Sequence, residues 1–381
     1  MLPLTVKKVQ SNIVTNKGIK MKYPTKPQVL TLDITDRCQM QCKTCSKWKV
    51  SSEVMQKELT TEQWKEVLRQ LRDWLGDGFW ICFSGGEPFI RQDIFELTQY
   101  ATDLGFKVSS MSNAFSVDNL VDKIIDTPFE SINVSLNSIV DKSIHDNSRG
   151  RECSAQKICD FVWKIMNFKK GRNDNLSLNL ATIMLPDNLD EIVYLVEYAT
   201  KNHLKHIMFQ LIEDKNSFHA YADCAGLDTD NYKIPEDYKN TITGMADKAI
   251  PIIDHLIEMK RAGHAIANSY EQLEAYKLFF TNPSDIVEAI KCDVGATNFA
   301  VDPYGNVRLC FNMVPIGSIL EKSPEELWNS EEAQLCRQKV HSCKMCCRLI
   351  NCNFKANFAN FNKPFLIRLK NKIVKLLTGK Y

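Results

Sequence analysis

The 381-residue chain contains no uninterrupted apolar run of the roughly 18 residues that a membrane-spanning helix requires. It also has almost no excess of charge. With 48 Lys+Arg against 46 Asp+Glu, the formal net charge is +2, which gives no bulk attraction to nucleic acid, and none is expected as a partner. The opening MLPLTVKKVQ lacks both a continuous apolar core and a small-residue cleavage site, so it does not read as a secretory signal, and the chain reads as cytoplasmic. Low-complexity tracts are missing, as is any internal repeat longer than the cysteine clusters. The remaining composition is that of an ordinary folded protein with ample surface to bury.

Cysteine is the exception: there are 14, in a chain with no sign of export. In a reducing compartment, clustered thiols point to metal or redox sites rather than to disulfides. Most fall in two groups, at 38–45 and 292–352. The isolated Cys82, Cys153, Cys159 and Cys224 read as small buried hydrophobes, the usual role of free cysteine.

Along the chain, residues 1–28 are polar and aperiodic and read as an extension. From residue 29 to about 215, β-branched runs at 29–34, 79–83, 107–111, 131–136, 177–184 and 206–211 alternate with helical patterns at 61–74, 95–104, 156–168 and 189–201. Thr60 is placed to cap the first of these helices. This alternation predicts parallel βαβ units, about six of them, hence an α/β fold: a partial (β/α)6 TIM-like barrel with its chemistry at the C-terminal strand ends. Residues 216–288 read as a helical bridge, and 289–355 as a small cysteine-rich domain of hairpin plus helix. The tail, 356–381, reads as a basic amphipathic helix. It suits either peripheral contact with an anionic membrane surface or docking on the protein itself.

Cys38, Cys42 and Cys45 form a C-x3-C-x2-C pattern just after the first predicted strand. Three thiolates are one short of a closed tetrahedral site, and a zinc site completed from elsewhere is one reading of the spacing. The second strand is followed by FSGGEP, in which Gly85 and Gly86 can let backbone approach a ligand closely. Glu87 offers an acceptor for a cationic group, ahead of Pro88.

Taken together, the two motifs resemble the radical S-adenosylmethionine (SAM) superfamily. The resemblance implies that Cys38, Cys42 and Cys45 hold a [4Fe–4S] cluster whose fourth iron binds SAM, and that the Gly-Gly-Glu-Pro turn meets the ammonium of SAM. Further positions follow by similarity. Ser112 and Asn113 in MSNA lie near the ribose. Ser135 and Asn137 in VSLNS bond its hydroxyls, with Asn137 where Asp is more usual. Arg149 in HDNSRG pairs with the SAM carboxylate. Thr44 stands where the family often has an aromatic, so no ring is supplied there for adenine, although Trp48 is close in sequence.

In the second group, Cys292 precedes a turn, Asp302-Pro303-Tyr304-Gly305, between alternating runs at 296–301 and 307–310. Ser323-Pro324 then opens a short helix ahead of Cys343-x2-Cys346. A four-cysteine zinc knuckle is compatible with this spacing. The segment is similar to the SPASM/Twitch extension of radical SAM enzymes, with Cys292, Gly305, Cys310, Cys343 and Cys346 on its pattern. Residue 356 is Ala, and no cysteine follows Cys352, so the similarity implies one auxiliary [4Fe–4S] cluster on Cys292, Cys310, Cys343 and Cys346. Cys347 and Cys352 are alternatives.

The expected function is therefore SAM cleavage to a 5′-deoxyadenosyl radical and hydrogen abstraction from a small-molecule, carbohydrate or peptide substrate. The outcome would be oxidation, epimerisation or cross-linking, with electrons from a donor such as flavodoxin or ferredoxin. The short amino-terminal extension leans toward a small molecule or carbohydrate. Cys224, Cys336 and Cys347 are candidates to return hydrogen if the outcome is epimerisation.

Overall fold

The computed structural model describes residues 10–14, 20–213, 229–348 and 351. Cys224, Cys352 and the basic tail lie outside them. Six parallel strands stand side by side in chain order: Val29–Thr35, Trp80–Gly85, Lys107–Ser112, Ser131–Ser135, Ser177–Met184 and His206–Leu211. Helices Thr61–Leu75, Ile94–Asp103, Ser154–Phe168 and Ile192–Lys201 fall where periodicity places them. Thr60 caps the first of them in a reciprocal box with Gln63. Strand side chains alternate as the pleat requires. Leu30, Leu32, Ile81, Phe83, Ile207 and Phe209 join the apolar core. Their neighbours Thr31, Asp33, Cys82, Ser84, Met208 and Gln210 line an interior cleft. This corrects the reading of the isolated cysteines: Cys82 faces the cleft, Cys153 is exposed at a helix start and Cys159 is half-buried.

Neither edge of the barrel sheet is left open. Asn298–Val301 from the C-terminal domain pairs in parallel with the first barrel strand, Val29 opposite Asn298 and Leu32 opposite Val301. Asn306–Arg308 and Gly317–Ser318 continue the sheet in antiparallel fashion, making nine strands in all. The expected hairpin is present but starts later, because Val294–Thr297 forms a helical turn. Trp74, Phe299 and Trp328 pack with centroids 5.6–6.4 Å apart and join a barrel helix to the hairpin and to the helix Pro324–Asn329. Residues of the amino-terminal extension, aperiodic in sequence, pair as a two-stranded antiparallel sheet, Gln10–Val14 with Lys20–Pro24.

At the opposite edge, the sixth strand meets three different partners at alternate residues. Ile207 bonds the backbone of Ala265 and Ala267. Phe209 exchanges bonds of 2.8 and 2.9 Å with the Asn268 side chain. Leu211 does the same with Asn351, at 2.6 and 2.8 Å. Two amides thus stand in for a seventh strand. Asn268→Ala would strand the buried Phe209 N–H, while Phe209 O keeps the Tyr276 hydroxyl, and a loss of about 1–3 kcal/mol is expected from the shift in denaturant midpoint. A loss below about 0.5 kcal/mol would show that this N–H finds another partner. The bridge contributes Glu236–Gly244, Ala246–Arg261 and Tyr270–Thr281, of which the last donates the Tyr276 hydroxyl to Phe209 O at 2.8 Å. No helix among the described residues is long and apolar enough to cross a membrane.

Candidate functional site

The cysteine loop leaves the first strand at Thr35 and is pinned from three sides. Glu58 accepts from the Thr35 hydroxyl at 3.0 Å and from the Asp36 N–H at 2.8 Å. Arg91 donates to Ile34 O and Leu59 O. The turn after the second strand donates Gly86 N to Thr35 O and Glu87 N to Arg37 O, at 2.7 and 2.9 Å. A Cβ on Gly85 would lie 2.1 Å from Thr35 O, and one on Gly86 2.3 Å from Arg37 O. The two glycines therefore serve close approach to the cysteine loop itself, where the sequence suggests approach to a ligand.

Glu87 is likewise engaged within the protein. Its carboxylate is 1% exposed and accepts from Phe89 N, Ser112 Oγ and Asn113 N, the last at 2.6 Å. Burial pushes its pKa up to about 7. The side chain is thus a strut for the Ser112–Asn113 turn and does not reach the cleft wall. Asn113 in turn places its amide 3.6 Å from Cys38 Sγ.

Arg149 ends the helix Lys142–Arg149, which is bolted to the cysteine loop by Gln41 N to Arg149 O and Lys43 N to Ser148 O, both 3.0 Å. Its guanidinium reaches Cys42 Sγ at 3.8 Å, and its Nε is buried without a hydrogen-bond partner. Asn137 is also drawn away from the cleft: its amide donates to Ser148 Oγ at 2.9 Å and accepts from Ile183 N at 3.3 Å. Pro88 is buried in the turn Pro88–Ile90. The structure thus brings Cys38, Cys42, Cys45, Gly85, Gly86, Ser112, Asn113, Ser135 and Arg149 onto one cleft of about 410 Å³. Glu87, Pro88 and Asn137 are not among its lining residues. Trp48 lines it too, its indole donating to Cys42 O at 3.2 Å.

The donor set fits iron–sulfur ligation. Cys38 and Cys343 each accept the backbone N–H of the second following residue at 3.4 Å, and Cys45, Cys292 and Cys310 are bonded by the N–H groups of Lys47, Val294 and Asn312. Such bonds favour a negatively charged sulfur. Burial pushes the Cys38 and Cys292 thiols up to about 12, so these sulfurs ionise when a metal replaces the proton. Arg149, with a buried unpartnered Nε beside Cys42, is a donor held ready for an anionic ligand.

At the second site, Cys292, Cys310 and Cys343 lie within mutual electrostatic reach. Cys347 joins them, and Asn312 links it to Cys310: the Asn312 amide meets Cys347 Sγ at 3.7 Å while its N–H bonds Cys310. Cys346, adjacent, is buried in the apolar core. Cys336 is also buried, its thiol 3.6 Å from Met313 Sδ. Among the described residues, no three His, Cys, Asp or Glu side chains lie at the spacing of a single bound ion.

Sequence reasoning missed the buried ion cluster beside Cys45, in which Lys47 Nζ lies 3.0 Å from Asp33 and 2.9 Å from Asp36. It also missed Glu213, at the end of the sixth strand, which lines the cleft and accepts from the Asn351 amide at 3.0 Å. Lys47 sits in a polar SKWK stretch indistinguishable from a solvated loop. Glu213 follows an apolar strand with no motif around it.

Comparison with known proteins agrees with this geometry. Residues 32–209 match the model of the radical SAM superfamily, and residues 292–353 that of the SPASM iron–sulfur cluster-binding domain. Curated relatives include the PqqA peptide cyclase of Bradyrhizobium diazoefficiens, 29% identical over 174 residues, or 45% of this chain and 43% of that protein. Another is the AdoMet-dependent heme synthase of Methanosarcina barkeri, 27% identical over 174 residues, 45% of this chain and 47% of that one. The chain matches about half the length of these relatives. Among solved structures, anSMEcpe with bound AdoMet has a TM-score of 0.62 at 15% identity, covering 93% of this chain and 98% of that one. SuiB of Streptococcus suis bound to S-adenosylmethionine has a TM-score of 0.58 at 15% identity, covering 87% and 71%. Residues 32–209 thus form a radical SAM superfamily domain, and residues 292–353 a SPASM-type iron–sulfur cluster-binding domain.

Proposed function

We propose that this protein cleaves SAM reductively and uses the resulting radical to abstract hydrogen from a peptide substrate, in an oxidation, epimerisation or cross-linking reaction. The observation that carries this reading is the convergence of three cysteines, the Gly85–Gly86 turn, Ser112, Asn113, Ser135 and Arg149 on one cleft at the C-terminal ends of parallel strands. A reduced [4Fe–4S] cluster, when bound, supplies the electron that splits SAM into methionine and a 5′-deoxyadenosyl radical. Cys38, Cys42 and Cys45 would hold that cluster, and as three thiolates they would leave a ligand position for SAM. Arg149 orients the SAM carboxylate, and Ser112, Asn113 and Ser135 offer polar groups to the ribose. Cys292, Cys310 and Cys343 would supply three ligands of one auxiliary cluster, and either Cys346 or Cys347 the fourth.

A peptide is favoured over a carbohydrate or another small molecule by the relatives. One matched protein bears the name PqqA peptide cyclase, and SuiB has been solved with its precursor peptide SuiA. The test is anaerobic reconstitution followed by reduction in the presence of SAM. About 8 Fe per chain and formation of 5′-deoxyadenosine are expected, about 4 Fe indicating a single cluster. Intact clusters with no 5′-deoxyadenosine, or protein holding zinc and little iron, would overturn the reading.

A further inference from the structure

The Lys47 ammonium is 5% exposed and held between Asp33 Oδ2 and Asp36 Oδ1, at 3.0 and 2.9 Å. Two carboxylates on one ammonium leave this buried group with an excess of negative charge, which a low-dielectric site tolerates only if further donors are present. One comes from the other domain: the Tyr304 hydroxyl donates to Asp36 Oδ2 at 2.9 Å, across 268 residues of sequence. Tyr304 lies in the turn of the C-terminal hairpin, and that turn is itself rigid. Asp302 Oδ1 accepts from Tyr304 N and Asn306 N at 3.0 and 2.9 Å, and Pro303 O accepts from Leu59 N at 2.7 Å. At the other end, Lys47 opens the turn Lys47–Lys49 two residues beyond Cys45, and its backbone N–H bonds the Cys45 sulfur. Displacing the Lys47 side chain therefore displaces a donor to a proposed cluster ligand.

We propose that Tyr304, Asp36 and Lys47 form a positioning relay through which the C-terminal hairpin sets the placement and electrostatic surroundings of Cys45. The SPASM-type domain would then tune the SAM-binding cluster by a direct hydrogen-bonded route, separate from any electron it exchanges. This inference rests on the reading that Cys38, Cys42 and Cys45 hold a SAM-binding cluster. Tyr304 and Asp36 do not line the cleft, and Lys47, which does, is held by its two carboxylates; the three are proposed to act through Cys45 and not on SAM or substrate. Asp36 and Lys47 come from the cysteine-bearing segment, whereas Tyr304 comes from the module that carries the auxiliary thiols, so the relay has a defined direction across the domain boundary.

The experiment uses the full-length reconstituted protein, with electron paramagnetic resonance and redox titration of the SAM-binding cluster as readouts, and SAM itself as the probe. Tyr304→Phe is expected to keep the full iron content while shifting the spectrum and midpoint potential of that cluster. It should also slow 5′-deoxyadenosine formation roughly tenfold, the size of one lost hydrogen bond to a charged group. Asp36→Asn should move the same readouts in case Tyr304→Phe impairs folding. The double variant should lose no more than the worse single one, because both cut the same relay. An unchanged spectrum and potential in Tyr304→Phe, or strictly additive losses in the double variant, would overturn the relay. Absence of 5′-deoxyadenosine from the parent protein would instead count against the catalytic reading, and the spectrum and potential would still decide the relay.

Discussion

Cys38→Ala is expected to abolish 5′-deoxyadenosine formation from SAM, whereas Cys343→Ala should leave SAM cleavage measurable and stop substrate turnover: this is the largest contrast expected from the two thiol sites. Cys38 lies against the cleft and takes a hydrogen bond from Asn113 beside Arg149 and Cys42, so its sulfur belongs to the group proposed to present SAM. Cys343 has Cys292, Cys310 and Cys347 as electrostatic neighbours and no lining role in that cleft. Each variant should lose about 4 Fe per chain and retain the other cluster's signal. Product analysis by liquid chromatography with iron quantification reads both outcomes. Equal loss of SAM cleavage in the two variants would show that the sites do not have separate roles.

Gly85→Ala should be nearly as damaging, though no chemistry is removed. Gly85 has φ of +123°, a region that side-chain-bearing residues rarely enter, and an added Cβ would fall 2.1 Å from the Thr35 carbonyl oxygen. Backbone stands on both sides of that contact, so no flexible side chain can yield. Strain and overlap together are expected to cost about 3 kcal/mol or more. The turn must separate from the loop that carries Cys38, so iron at the first site should fall with stability. Thermal unfolding together with iron counting tests this; parental stability and full iron would show that the two backbones need not be in contact.

How much of this could be read in advance depended on range. The six strands and their helices were legible because each is a local pattern: alternation in strands such as Ser177–Met184, helical spacing and a Thr60 cap in Thr61–Leu75. The thiol clusters were legible because ligand spacing is itself sequence. Asn137 and Glu87 were harder. Both sit where a family motif places ligand contacts, yet their partners, Ser148 and Ile183 for one, Phe89, Ser112 and Asn113 for the other, come from neighbouring elements. A polar residue in a motif has the same letter whether it faces a ligand or braces the turn that does.

Spacing, periodicity and the identity of the thiols were thus sufficient for the barrel, for the two cysteine groups and for the family. Tertiary structure alone decided that the C-terminal hairpin completes the barrel sheet and that Asn268 and Asn351 close its other edge. It alone placed Tyr304 on Asp36 and carried Gly85 against Thr35. The physical reason is that these contacts depend on desolvation and close approach between segments far apart in the chain. Each has no local pattern, because the energy that selects it appears only once the surrounding apolar surface has excluded water.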